Sequence, residues 1–155
     1  MTMTAGPLMQ LLEKVGALAR ASGVFGPVEV KGGRLVCAAK ASAEPAAYRL
    51  EADGGKLWVS LVMADRWLSE SIESDLMHTG DKLEELLEEE LVDQGYAGPA
   101  LGFEHFRSDD KLFTFRSALP AEAERDAEIA ARCLLGYEAC FRNLGDMNAG
   151  AGEEG

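Results

Sequence analysis

The residues of this 155-residue chain whose types and spacing could do chemistry fall into a few groups, and the densest is acidic. Glu70, Glu73, Asp75, Asp81, Glu84, Glu85, Glu88, Glu89, Glu90 and Asp93 follow one another with only Lys82 and His78 among them as cationic candidates. On a helix, Glu84 and Glu88 are i, i+4 neighbours, as are Glu85 and Glu89. Like charges so placed cost about 0.2–0.5 kcal/mol per pair. Such a run is either a solvated face held down by its leucines or a patch that takes a basic polypeptide. Carboxylates can also act as general acid and base, but nothing in the sequence encloses these or raises a pKa. Glu84, Glu85, Glu88 and Glu89 are therefore candidate partner contacts, not catalytic ones.

The other chemistries find less. His78 and His105 lie far apart without HxxxH or ExxH spacing, and no CxxC occurs, so neither a metal nor a cofactor is expected. No GxSxG elbow is present, and no motif joins a cysteine to a histidine, so no catalytic residue is nominated. Cys37, Cys133 and Cys140 are odd in number, which argues against a disulfide framework. Cys133 and Cys140 share one face of a helix about 10 Å apart, too far to bridge. Reduced thiols suit a cytoplasmic compartment. Trp67, in Asp65-Arg66-Trp67-Leu68, is the candidate apolar anchor for a partner, together with Leu68 and Ile72 on the same stripe. Trp58 sits in a strand dense in apolar residues and reads as core. A second set, His105, Arg107, Arg116 and Tyr137, clusters around the last hairpin and helix; its convergence on a pocket would point instead to a small-molecule-binding protein or an enzyme.

Length and charge bound these options. The chain suits one domain and can bury roughly 70% of its unfolded surface. Its formal charge of -12 disfavours nucleic acid and anionic membrane surfaces, which attract Lys and Arg and repel carboxylates. A basic protein or peptide is the partner that such a field steers in. The N-terminus shows no signal-peptide pattern, and no run approaches the roughly 20 apolar residues of a membrane span.

The positioning elements follow from periodicity. Leu8, Leu11, Leu12, Val15 and Leu18 predict a helix over 7–22, with Pro7 in its first turn and Gly23 beyond its end. Gly32-Gly33 and Gly54-Gly55 each separate extended runs and predict hairpins. Ala41 to Ala46 reads as a loop. Residues 57–63, apolar on both faces, read as a central strand covered on both sides. Residues 64–80 read as a loop with a short helical turn, because Ser69, Ser71 and Ser74 weaken a helix. Asp81 as N-cap with Glu84 three residues on, and the stripe Leu83, Leu86, Leu87, Leu91, predict a helix over 82–94. Leu101 to His105 and Phe113 to Arg116 form a third hairpin whose aromatic face should meet the core. Pro120 opens the last helix, lined by Ile129, Cys133, Tyr137, Cys140, Phe141 and Leu144 and ended by Gly145. Residues 1–145 form one α+β domain, and 146–155 a flexible tail.

The opening Leu8–Leu18 helix, the middle helix Asp81–Gln94, the hairpin from Gly102-Phe103 to Leu112-Phe113 and the closing Ile129–Leu144 helix give the order α-β-β-β-(β)-α-β-β-α around an antiparallel sheet. This order resembles the type III secretion chaperone-like fold, which includes the YbjN-type bacterial regulators. The resemblance covers nearly the whole chain and rests on element order, with no residue-level motif behind it. It implies a homodimer that binds a partner polypeptide and catalyses nothing. The Ala41–Ala46 loop and the long Trp67–Gly80 connection depart from the simplest version of that pattern.

Overall fold

The computed structural model describes residues 5–147, apart from 41, 43, 80, 81, 109, 110, 143, 145 and 146. Helix α1 spans Ala5–Ser22 and buries Leu11, Leu12, Val15 and Ala19 along one stripe. Two hairpins follow: β1 (Val28–Lys31) with β2 (Arg34–Ala38), then β3 (Ala46–Asp53) with β4 (Lys56–Met63). Both turn on a glycine pair with positive φ at each residue, 60° and 76° at Gly32-Gly33 and 60° and 80° at Gly54-Gly55. That backbone is what a tight two-residue hairpin requires, and only glycine adopts it twice in a row without strain.

The rest of the chain comprises α2 (Arg66–Thr79), α3 (Leu83–Asp93), β5 (Glu104–Arg107), β6 (Phe113–Ala118), a 3₁₀ turn (Ala121–Glu124) and α4 (Ala127–Phe141). The fold is α+β, and the six strands form one antiparallel sheet in the order β1-β2-β3-β4-β6-β5. Strand side chains alternate between the two faces. Leu35 and Cys37, Tyr48 and Leu50, Leu57, Val59, Leu61 and Met63, and Phe115 point one way and are buried. Helices α1, α2 and α4 pack on that face, and α3 packs on α4. Gly136 lets α4 approach α3 here: a Cβ at that position would stand 2.5 Å from Leu91 Cδ2. On the same face the Tyr137 and Ser117 hydroxyls share a 2.6 Å hydrogen bond, which satisfies two polar groups inside the core.

The structure corrects several expectations. Residues 66–79 are a full helix, not a loop with one turn. Asp65 Oδ1 accepts from the Leu68 amide at 2.9 Å and caps it. Leu68 and Ile72 enter the core, and burial contributes about 1.5–3 kcal/mol for each such side chain, more than the serines subtract. Pro120 does not open the last helix. It precedes the 3₁₀ turn, and α4 restarts from Asp126, whose Oδ1 accepts from the amides of Glu128 (2.9 Å) and Ile129 (3.4 Å). Helix α3 begins at Leu83 after Lys82, which makes no side-chain capping bond; the expected cap Asp81 lies outside the described residues, as does Gly145. Strand β4 is central but carries helices on one face only. The third hairpin does bring Phe113 and Phe115 to the core, with Phe103 packed against it, but its first strand is Glu104–Arg107 instead of Leu101 to His105, and Phe106 is 37% exposed on the other face. Met147 also packs into the core, so the folded part reaches beyond residue 145. No helix among the described residues is long and apolar enough to cross a membrane.

Candidate functional site

The helix-free face of the sheet is built by the other half of the strand alternation. Strand pairing aligns Val36, Arg49, Ser60, Arg116 and Glu104 in one row across β2, β3, β4, β6 and β5. A second row runs Arg34, Glu51, Trp58, Ala118, and a third Ala38, Ala47, Val62, Thr114, Phe106. Short side chains occupy the middle and long ones the flanks. Ser60, Val62 and Thr114 therefore form a floor, and Arg49, Trp58, Arg116 and Phe106 rise around it. The result is an open trough of about 510 Å³. The three floor residues are buried although no helix covers them. Their cover is the long side chains of the neighbouring strands, whose stems lie over apolar surface.

The flanks are pinned. Trp58 Nε1 donates to the Asp53 carbonyl at 2.9 Å. The Arg116 guanidinium lies 3.8 Å from the Trp58 ring centroid and 5.1 Å from that of Phe106. It also donates to Asp53 Oδ2 (Nη1, 3.2 Å) and to Glu104 Oε1 (Nε, 3.0 Å). Arg34 Nε meets Glu51 Oε1 at 2.7 Å. Arg107, at the end of β5, pairs with Phe113 in register with Met63 and so belongs to the helix-covered side, where its guanidinium carbon lies 5.4 Å from the Phe113 ring centroid. Aromatic rings and guanidinium planes held in this way are a low-entropy recognition surface, and interfaces are enriched in the same residue types.

A second constellation joins α2 to β5. Ser69 Oγ stands 3.3 Å from His105 Nε2, and His105 Nδ1 stands 3.1 Å from Glu73 Oε2. The imidazole stacks flat on Phe115, with centroids 3.8 Å apart. Hydroxyl, imidazole and carboxylate in that order are what serine hydrolases use. Here Ser69 is 1% exposed, so its hydroxyl meets the histidine and core instead of a substrate. Burial lowers the His105 pKa from its ordinary value, and the Glu73 carboxylate offsets this only in part. The arrangement is a latch that ties the edge strand to α2.

The sequence-nominated residues separate. Trp67 is 73% exposed on the outer side of α2. Leu68 and Ile72, proposed beside it as partner contacts, are 2% and 0% exposed. Consecutive helical residues point about 100° apart, so a helix that buries Leu68 and Ile72 turns Trp67 outward. These two are core residues. Glu84, Glu85, Glu88 and Glu89 do lie on the solvent side of α3, opposite the buried Leu83, Leu87 and Leu91. His105, Arg107, Arg116 and Tyr137 do not gather around a pocket: His105, Tyr137 and, by register, Arg107 are on the helix-covered side, and Arg116 is on the open one. Among the described residues, no three His, Cys, Asp or Glu side chains converge as a metal site would require. The trough residues Arg34, Arg49, Trp58, Ser60, Val62, Phe106 and Thr114 were missed. Trp58 is half-buried on the open face and does not belong to the core. The usable signal was the Asp53–Lys56 turn, which sets Arg49 opposite Ser60 and Glu51 opposite Trp58. No known family model, curated protein or solved structure matches this chain.

Proposed function

We infer that this chain is a non-catalytic protein-binding module, chaperone-like or regulatory, that holds a partner polypeptide and works as a homodimer in the cytoplasm. The observation that carries this reading is the helix-free sheet face, a trough with a small-residue floor between Trp58, Phe106 and the Arg116 stacked against both. Such a surface offers an extended chain both apolar contact and fixed hydrogen-bond donors. Trp67, exposed on α2, and the solvated carboxylates of α3 are further contact surfaces, the former apolar and the latter suited to a basic partner. Element order supports the chaperone-like or regulatory character, and the three buried thiols agree with a reducing compartment.

Two measurements test the reading. Light scattering should give about twice the 16.6 kDa chain mass, and a displayed random-peptide library should yield sequences enriched on the immobilised chain. A monomer at every concentration that enriches no peptide would overturn it.

A further inference from the structure

A second cavity, of about 210 Å³, opens at one end of the helix-covered layer. The turn after α1 (Gly23, Val24), the connection after β2 (Ala39, Lys40) and the end of α4 (Glu138, Arg142) converge there on Tyr48 of β3, with Met147 beside them. Tyr48 is 1% exposed, and its ring packs on Phe25 with centroids 5.6 Å apart. Its hydroxyl has no hydrogen-bond partner among the described residues. Nor is that oxygen sealed in by protein, so it faces into the cavity. A hydroxyl this deep normally finds a partner, as the equally deep Tyr137 does in Ser117. Burial, and next the neighbouring Glu138, push the Tyr48 pKa up, so the phenol keeps its proton and can donate it.

We propose that this cavity binds a small monocarboxylic acid, with its carboxylate on Tyr48, Lys40 and Arg142 and its short apolar body against Val24, Ala39 and Met147. The donor inventory selects the class. Lys40 carries three N–H donors and uses one on the Gly23 carbonyl at 2.9 Å. Arg142 carries five and uses two on Glu138, through Nε to Oε2 at 3.1 Å and through Nη2 to Oε1. That fork engages both oxygens of the buried Glu138 carboxylate and fixes the guanidinium beside the cavity. What remains open is mostly donors, two sets of them on cations, and these hold a carboxylate through short, charge-assisted bonds. A second negative charge is disfavoured, because Glu138 lies among the donors and Glu90 acts on Arg142 from α3. A carboxylate therefore fits better than a phosphate, which carries up to about two charges. The volume is below the about 300–1,000 Å³ of drug-sized sites, so the acid is small. The cavity is separate from the trough, and the proposal makes no use of the protein-binding reading.

The test is NMR chemical-shift titration of the full chain with butyrate, n-butanol, butylammonium and inorganic phosphate at one ionic strength. Butyrate should bind with Kd on the order of 1 mM, ordinary for so small a ligand, and about tenfold more tightly than the other three. Tyr48→Phe keeps the ring on Phe25 and deletes a hydroxyl that no protein group uses, so it should melt no lower than wild type. It should weaken butyrate about tenfold, as should Lys40→Gln. Lys14→Gln, on the exposed side of α1, should leave butyrate binding unchanged. Absence of butyrate binding, or equal binding of any of the other three, overturns the proposal. Butyrate binding that survives both Tyr48→Phe and Lys40→Gln places the acid elsewhere and also overturns it. A Tyr48→Phe chain that melts lower shows the hydroxyl to be bonded within the protein, with the same consequence.

Discussion

Arg116 holds its guanidinium 3.8 Å above the Trp58 ring and at the same time reaches Asp53 and Glu104, so one side chain ties β3, β4, β5 and β6 together across the open face. The stack and the ion pairs differ in worth. The carboxylates are more than half exposed, which screens the pairs to a few tenths of a kcal/mol each. The stack contributes about 0.5–1 kcal/mol, and more where water is excluded. Arg116→Ala should therefore cost about 1–2 kcal/mol in urea unfolding and shift Trp58 emission. Arg116→Lys keeps the charge, loses the planar stack and should fall between. Equal stability of the lysine variant and wild type would show that the charge alone matters.

Gly136 and Leu91 make the second test. With a Cβ at residue 136 placed 2.5 Å from Leu91 Cδ2 and 3.2 Å from its Cγ, Gly136→Ala forces α3 and α4 apart or drives the buried leucine off its rotamer. Overpacking of this kind costs about 1–3 kcal/mol. Combining it with Leu91→Ala should cost less than the sum of the two single changes, because the clash disappears in the double variant. Additive thermal unfolding data from the four proteins would contradict the close contact.

Sequence patterns made the hairpins legible because Gly32-Gly33 and Gly54-Gly55 fix both turn geometry and register locally. The leucine stripe of α3 was equally plain, since Leu83, Leu87 and Leu91 recur on one face and all three are buried. Helix α2 was not legible: its serines argue locally against a helix, and only the distant core that receives Leu68 and Ile72 decides for it. The trough stayed hidden for a related reason. Both faces of β4 carry buried residues, so alternation could not tell helix side from open side. The row Arg49, Ser60, Arg116 exists only because β6 pairs with β4 across two intervening helices and β5, a long-range pairing that no local pattern encodes. The latch of Ser69, Glu73 and His105 depends on the same non-local closure.

His105 makes stability depend on pH. Its pKa is lowered in the folded chain, with burial the larger influence and Glu73 opposing it. The groups facing it are Glu73 and Ser69 from α2 and the Phe115 ring from β6. The unfolded chain therefore takes up this proton first as pH falls below about 6.5, and the folded chain only at lower pH. Between those points the unfolded state binds more protons, so this site's contribution declines as pH falls and is fully present above the unfolded value. His105→Gln should flatten that part of the stability profile. Glu73→Gln should lower the imidazole pKa further, read by NMR titration of its ring protons. A rise on Glu73→Gln would contradict the ion-pair geometry.

The three thiols should be inert in the native state. Burial pushes Cys37, Cys133 and Cys140 each up to about 12; nearby Arg20 opposes the rise at Cys37, and Glu90 adds to it at Cys140. Reaction with a thiol reagent needs both access and thiolate, and the fold withholds both. All three should modify slowly in buffer and quickly in denaturant, with native rates that follow opening of the structure. One thiol that reacts at once in the folded protein would place its segment outside the core.

Trp67 and Leu68 are neighbours in sequence with opposite fates, which makes them the sharpest test of how α2 sits. Leu68 is 2% exposed, and its truncation to alanine leaves a cavity between α2 and the sheet. Such losses cost about 2–5 kcal/mol. Trp67 is 73% exposed, so Trp67→Ala should change stability by no more than about 0.5 kcal/mol. If the chain works as the proposed dimeric protein-binding module with Trp67 at a contact surface, the same variant should weaken dimerisation or peptide capture while the melting temperature stays put. If Trp67→Ala instead unfolds the chain and Leu68→Ala is tolerated, α2 is rotated by about one residue from the packing described, and its serine latch to His105 cannot form.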